Sequence, residues 1–170
     1  MSAWSIIVPG STPSDCVDVV VTQGDASLEI VNVTRESARR GGFARLLIDS
    51  FGMPPPFATL AAAADSAGWH EMLINLAVGG MFRIGRAAFT DTASSAADAA
   101  LMDRLFGGVS WRDSFDGNRS WSNDTLERLA RTYAECFSKT HGVREVYRLF
   151  SSDNQVHFMV HLAYHEKCAD

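Results

Sequence analysis

Between residues 17 and 33 the chain reads VDVVVTQGDASLEIVNV, with apolar side chains on alternate positions either side of Gly24-Asp25. That period belongs to a strand with one face buried, and a two-residue turn led by glycine suits a type II′ hairpin. The pattern predicts a β-hairpin that sets Val21 opposite Leu28 and Val19 opposite Ile30. One face then gathers Val17, Val19, Val21, Leu28 and Ile30; the other holds Asp18, Thr22, Ser27 and Glu29, with Val20 and Val31 as exceptions. WSIIV (4–8) offers a further short strand.

The pattern then turns helical. Thr34 is placed to cap a helix with Glu36 in its first turn, although Gly41-Gly42 interrupts it at about 1 kcal/mol per glycine. A fresh start at Gly42, giving a helical FARLLIDSF, reads equally well, and the prolines of MPPP (53–56) end the segment. FATLAAAADSA (57–67) is helical by propensity. WHEMLINLAVGGMFRIGRAAF (69–89) is long, apolar and broken by glycines; it belongs to the core as helix or strand. SSAADAALMDRLF (94–106) starts on serine and is followed by Gly107-Gly108, a helix with both end signals. The clearest helix is 123–138. Ser122 is its N-cap, Asp124 sits at the positive end of the dipole, Lys139 near the negative end, and Gly142 just beyond. Trp121 and Leu126 have the spacing of a hydrophobic staple, and Leu126, Leu129, Tyr133, Cys136 and Phe137 form one stripe, making Cys136 a core residue.

Near the C-terminal end, two runs rich in Val, Tyr, Phe and Leu flank SSDN (151–154), a second hairpin signal. A two-residue Asp153-Asn154 turn pairs Tyr147 with Val160 and Leu149 with Phe158, on a core face that also collects Leu162 and Tyr164. Arg144, Val146, Arg148, Phe150, His157, Met159 and His161 fall on the opposite face. Histidine recurs at 157, 161 and 165. On a helix that spacing suits a metal. On a strand, at roughly 3.3 Å per residue, it separates neighbouring rings by about 13 Å, too far for one zinc with ligands at about 2 Å. The β-branched and aromatic content favours the strand, so the ladder by itself is no metal site, and no cofactor is expected.

The 170 residues fit one domain, 1–170, large enough to bury roughly two thirds of its unfolded surface. The expected fold class is α+β: an antiparallel sheet from the N-terminal and C-terminal β-hairpins, with the central helical segment packed on it. A net charge of −5 argues against nucleic-acid binding. Residues 35–45 carry Arg35, Arg39, Arg40 and Arg45 against Glu36 alone, whereas 91–127 carry six Asp and one Glu against three Arg. The acidic stretch can steer a basic partner. Cys16, Cys136 and Cys168 lack metal-type spacing, the first residues lack a signal-peptide pattern, and no run approaches the roughly 18 apolar residues of a membrane span. The expectation is a reduced, cytoplasmic protein without membrane contact.

Phosphate-loop, nucleophile-elbow and H-E-x-x-H motifs are absent, and His70-Glu71 lacks a second histidine four residues on. RRGGFAR could bring Arg39, Arg40 and Arg45 to a phosphate or carboxylate. The most suggestive stretch is GGVSWRDSFDGNRSWSND (107–124), turn-rich yet aromatic. Trp and Arg are enriched at binding hot spots; the alternative is that the aromatics pin the loop to the core. The leading reading is a non-catalytic protein-binding module, a small acidic inhibitor or immunity-type protein that neutralises a basic toxin or enzyme. Its anchors would be Trp111, Arg112, Asp113, Phe115, Asp116 and Arg119. A second reading is a small enzyme or ligand-binding domain, with His157 or His161 as general base and Arg144 or Arg148 holding an anionic substrate. A third is a chaperone for a secreted protein, marked by an exposed apolar groove.

Overall fold

A computed structural model of the chain describes residues 3–9, 17–23, 25–39, 44–50, 52–66, 70–115, 121–139, 141–150 and 156–163. In chain order the elements are β1 (Ala3–Pro9), β2 (Val17–Gln23), α1 (Ala26–Arg39), β3 (Ala44–Asp49), α2 (Phe57–Ser66), β4 (His70–Leu76) and α3 (Val78–Ala87). α4 (Ser95–Phe106), a 3₁₀ helix (Ser110–Phe115), α5 (Asn123–Glu135), β5 (Val143–Phe150) and β6 (Val156–Ala163) follow. β1 and β2 form an antiparallel pair of their own, and the other four strands form one sheet in the order β3-β4-β6-β5. β3 and β4 are parallel, while β6 runs antiparallel to both β4 and β5. The fold class is α+β, but the sheet is mixed where an antiparallel one was expected, and the N-terminal pair does not join it.

The hairpin expected over 17–33 does not form. β2 pairs back to β1, with Ile6 opposite Val20, and residues 28–33 belong to α1. The cause lies at Asp25, whose Oδ1 accepts the Ser27 N–H at 2.8 Å and whose carbonyl oxygen accepts from Leu28 and Glu29 at 3.0 and 3.1 Å. Asp25 therefore caps a helix, and the helix prevails because α1 packs on α2 and brings Ile30 and Val31 to the core. Thr34 lies inside α1, not at its start; it is buried, and its hydroxyl donates to the Ile30 and Val31 carbonyls. The described part of FARLLIDSF, residues 44–50, is not helical either. Ala44–Asp49 is β3, with Leu46 and Ile48 turned inward between exposed Arg45, Leu47 and Asp49.

Residues 69–89 contain both candidate structures. β4 buries Met72, Ile74 and Leu76 at strand period; after Ala77 the period lengthens, and α3 buries Val78, Met81, Phe82 and Gly85. At Gly85 a Cβ would stand 2.5 Å from the Phe115 ring, so only glycine fits. α2, α4 and α5 form where propensity and end signals place them. α4 closes on left-handed Gly107 (φ 67°), and Ser122, extended, accepts the Thr125 N–H at the start of α5. Leu126, Leu129, Tyr133 and Phe137 are buried and Cys136 half-buried.

β5 and β6 pair, but one residue out of the expected register. Val146 stands opposite Val160, Tyr147 opposite Met159 and Leu149 opposite His157. The last pair is Phe150 with Val156, so residues 151–155 separate the strands where two turn residues were expected. A one-residue slip turns a strand over. β6 keeps its expected faces, with Phe158, Val160 and Leu162 buried, but β5 is reversed: Val146 packs on the core, and Tyr147 and Leu149 face outward. The inward sheet residues form one apolar cluster with Leu60, Phe82, Met102, Leu129, Tyr133 and Phe137 of the helices. Leu47, Leu73, Met159, Tyr147 and Leu149, on the other face, are not part of it.

Candidate functional site

The strand period holds across the four-stranded sheet, so its outward residues fall into rows. One row is Leu47, Leu73, His161 and Glu145; the next is Asp49, Asn75, Met159 and Tyr147. Arg45 and Glu71 precede them on β3 and β4, and His157 and Leu149 follow on β6 and β5.

Polar groups on this face follow one another in a chain across all four strands, with hydrogen bonds joining β3 to β4 and β4 to β6 and a longer approach reaching β5. Glu71, only 6% exposed, takes Arg45 Nε on Oε2 at 2.5 Å and faces His161 Nε2 with Oε1 at 2.6 Å. His161 Nδ1 lies 3.8 Å from Glu145 Oε2, the same oxygen that accepts the Tyr147 hydroxyl. That hydrogen bond holds the Tyr147 phenol above its ordinary pKa, with burial and the Glu145 charge adding to it, so Tyr147 stays a donor. At the other corner, Asn75 Nδ2 donates to Asp49 Oδ1 at 2.8 Å. A buried carboxylate persists only with matching partners. Arg45 supplies one from the solvent side, and His161 supplies the other from within the sheet. Since a carboxylate faces each nitrogen of His161, neither points to an incoming substrate. The chain is a clamp between strands, set in apolar surroundings.

His157 and His161 stand on this face, but Arg144 and Arg148 do not. The register puts those arginines beside Leu162 and Phe158 on the helix side, where Arg144 Nη1 donates to the His141 carbonyl at 2.6 Å and Nε lies 3.4 Å from Glu135. The slip in β5 thus separates the four residues of the expected ligand pocket. His165 lies outside the described residues. β6 is extended through His157 and His161, and among the described residues no group of three or more His, Cys, Asp or Glu is placed to hold a metal. The arginines of RRGGFAR diverge: Arg39 faces Glu36, Arg45 holds Glu71, and Arg40 lies outside the described residues.

Trp111 and Phe115 turn inward, at 0% and 3% exposure. The indole Nε1 donates to Asp103 Oδ1 at 2.7 Å, Arg112 covers the ring at 4.8 Å, and Phe115 stacks on Phe82. These contacts pin the 3₁₀ helix to α3 and α4, the arrangement of the alternative in which Trp111 and Phe115 hold the loop to the core. Asp113 is exposed; it lines a shallow depression of about 450 Å³ with Arg128, Glu135 and Cys136. Burial pushes the Cys136 thiol up in pKa, and its Sγ donates to the Thr132 carbonyl. Asp116 and Arg119 lie outside the described residues. Trp121, 54% exposed, rests edge-on against Phe82.

Sequence reasoning did not connect Arg45, Glu71 and Tyr147 with His161. The usable signal was Glu71 itself, a carboxylate inside the apolar strand HEMLINL that has to find a cation or donor. No helix among the described residues is long and apolar enough to cross a membrane. No protein-family model matches the chain, and comparisons with curated proteins and with solved structures find no match.

Proposed function

We propose that this chain is a non-catalytic protein-binding module that receives its partner on the outward face of the four-stranded sheet. The observation that carries the reading is the exposure of Leu47 (65%), Tyr147 (47%) and Leu149 (41%) around half-buried Leu73 and Met159. Grouped apolar surface of this kind marks interaction sites, and saturated polar groups among apolar ones are typical of an interface centre. The net charge of −5 fits a small cytoplasmic inhibitor or immunity-type protein that neutralises a basic toxin or enzyme, with the acidic 91–127 stretch adding long-range steering. The hydrogen bond of His161 to Glu71, with Glu145 3.8 Å from its other nitrogen, supports binding over catalysis.

A photo-crosslinking residue at Leu47, compared with one at Leu28 (66% exposed, on α1), tests the reading in cells that make the protein naturally. Position 47 should trap a stoichiometric partner and position 28 should not, and Leu47→Glu with Tyr147→Glu should abolish the complex. A partner trapped only from position 28, or one that tolerates both substitutions, would overturn it.

A further inference from the structure

The outward face has the dimensions of one helix. Four strands about 4.8 Å apart span about 14 Å, and four rows at about 6.7 Å span about 20 Å. A helix with side chains is about 10–12 Å wide, and 20 Å of it takes about 13 residues. A standard flat interface buries about 800 Å² per partner, considerably more than this grid offers. The inward face already carries helices α3 and α5 against β6, so a helix on the outward face would complete a third layer of ordinary geometry.

The exposed carboxylates of the face are also specific. Glu71 is matched by Arg45 and His161, which occupies the only arginine of the described outward rows. Asp49 is exposed and uses one oxygen on Asn75; Glu145, with a side chain 50% exposed, turns Oε2 to both the Tyr147 hydroxyl and, at 3.8 Å, His161 Nδ1. Asp49 lies on β3 and Glu145 on β5, the two edge strands, with Leu47, Leu73, Met159 and Tyr147 between and around them. Negative charge thus borders an apolar centre on both sides.

Resting on the binding reading above, we infer that the occupant is a cationic amphipathic helix of the partner protein. Its apolar stripe lies on the leucines and Met159, and Lys or Arg on its two flanks meets Asp49 and Glu145. The same two carboxylates repel an anionic lipid surface or a nucleic acid.

The isotope-labelled full chain, titrated with a synthetic amphipathic Leu/Lys peptide of about 14 residues and with its Leu/Glu counterpart, tests this by backbone amide shifts. The Lys peptide should shift residues 45–49, 71–75, 145–149 and 157–161 and bind about tenfold tighter than the Glu peptide. Asp49→Asn with Glu145→Gln should lower that preference about three- to tenfold, and Asp49→Lys with Glu145→Lys should reverse it; the Asn/Gln pair keeps shape and charge-free polarity should the Lys pair not fold. Equal binding of both peptides on this face would overturn the cationic helix while leaving the binding surface in place. Shifts confined to α2–α5 would overturn it too, and crosslinking away from Leu47 would remove the binding reading itself.

Discussion

Replacing His161 by leucine should destabilise the fold by about 1–3 kcal/mol. The substitution removes a hydrogen bond to an ionised acceptor, worth about 1.5–3 kcal/mol, and leaves Glu71, 6% exposed, with Arg45 as its remaining counter-charge. Arg45 has a side chain 66% exposed, so solvent screens its attraction. The new leucine returns about 1–2 kcal/mol by apolar burial. Glu71→Leu alone should cost about 1–2 kcal/mol, since the buried His161 ring loses its partner at 2.6 Å. The double variant removes both polar groups and adds two mostly buried apolar ones, and should lie within about 1 kcal/mol of the parent. The coupling is then about 1 kcal/mol or more, the double variant being less damaged than its singles combined. Denaturant unfolding followed by circular dichroism, with linear extrapolation, measures all four corners of the cycle. Simple additivity, or single substitutions within about 0.5 kcal/mol of the parent, would show that the Glu71–His161 contact does not hold β4 to β6.

Tyr133→Phe should be neutral or stabilising by up to about 1.5 kcal/mol, because the buried hydroxyl has no hydrogen-bond partner among the described residues; a thermal melt should move up by about 0–6 °C. Trp111→Ala should cost about 3–5 kcal/mol by opening a cavity, and any variant molecules that remain folded should bind the partner as the parent does, since Trp111 is fully buried. The Cys136 thiol, raised in pKa chiefly by burial, stays protonated to higher pH than a free thiol. Its alkylation at pH 8 should be at least about tenfold slower in the folded protein than in denaturant, and should quicken as pH rises.

What the sequence disclosed depended on how local each signal was. α2, α4 and α5 carry their instructions within a dozen residues: alanine-rich propensity, Gly107 at a left-handed close, Ser122 accepting from Thr125. β2 and α1 misled because Asp25 serves a tight turn and a helix cap equally well; the choice was made by α2, which offers Ile30 and Val31 a surface. β3, with two leucines and an isoleucine in six residues, reads as either period until Met72 and Ile74 are known to lie beside it. The strand character of β5 and β6 was legible, but their register was not. Pairing Phe150 with Val156 leaves five residues between them, and that single step exchanged Arg144 and Arg148 for Glu145 and Tyr147 as the neighbours of His161. The clamp joins residues 26 and 90 positions apart, a separation on which no short-range pattern bears. Trp111 could be placed inward only once Asp103 was seen to receive its N–H.

β6, the last of the described strands in chain order, lies between β4 and β5 rather than at a sheet margin. Until about residue 163 has left the ribosome, β4 has β3 on one side and bare amides and carbonyls on the other. Its Met72, Ile74 and Leu76 then lack the strand that completes their layer. Nascent or truncated chains ending before β6 therefore expose a hydrophobic open margin of the sort that recruits other chains, and they depend on rapid completion or on holding factors to stay out of aggregates.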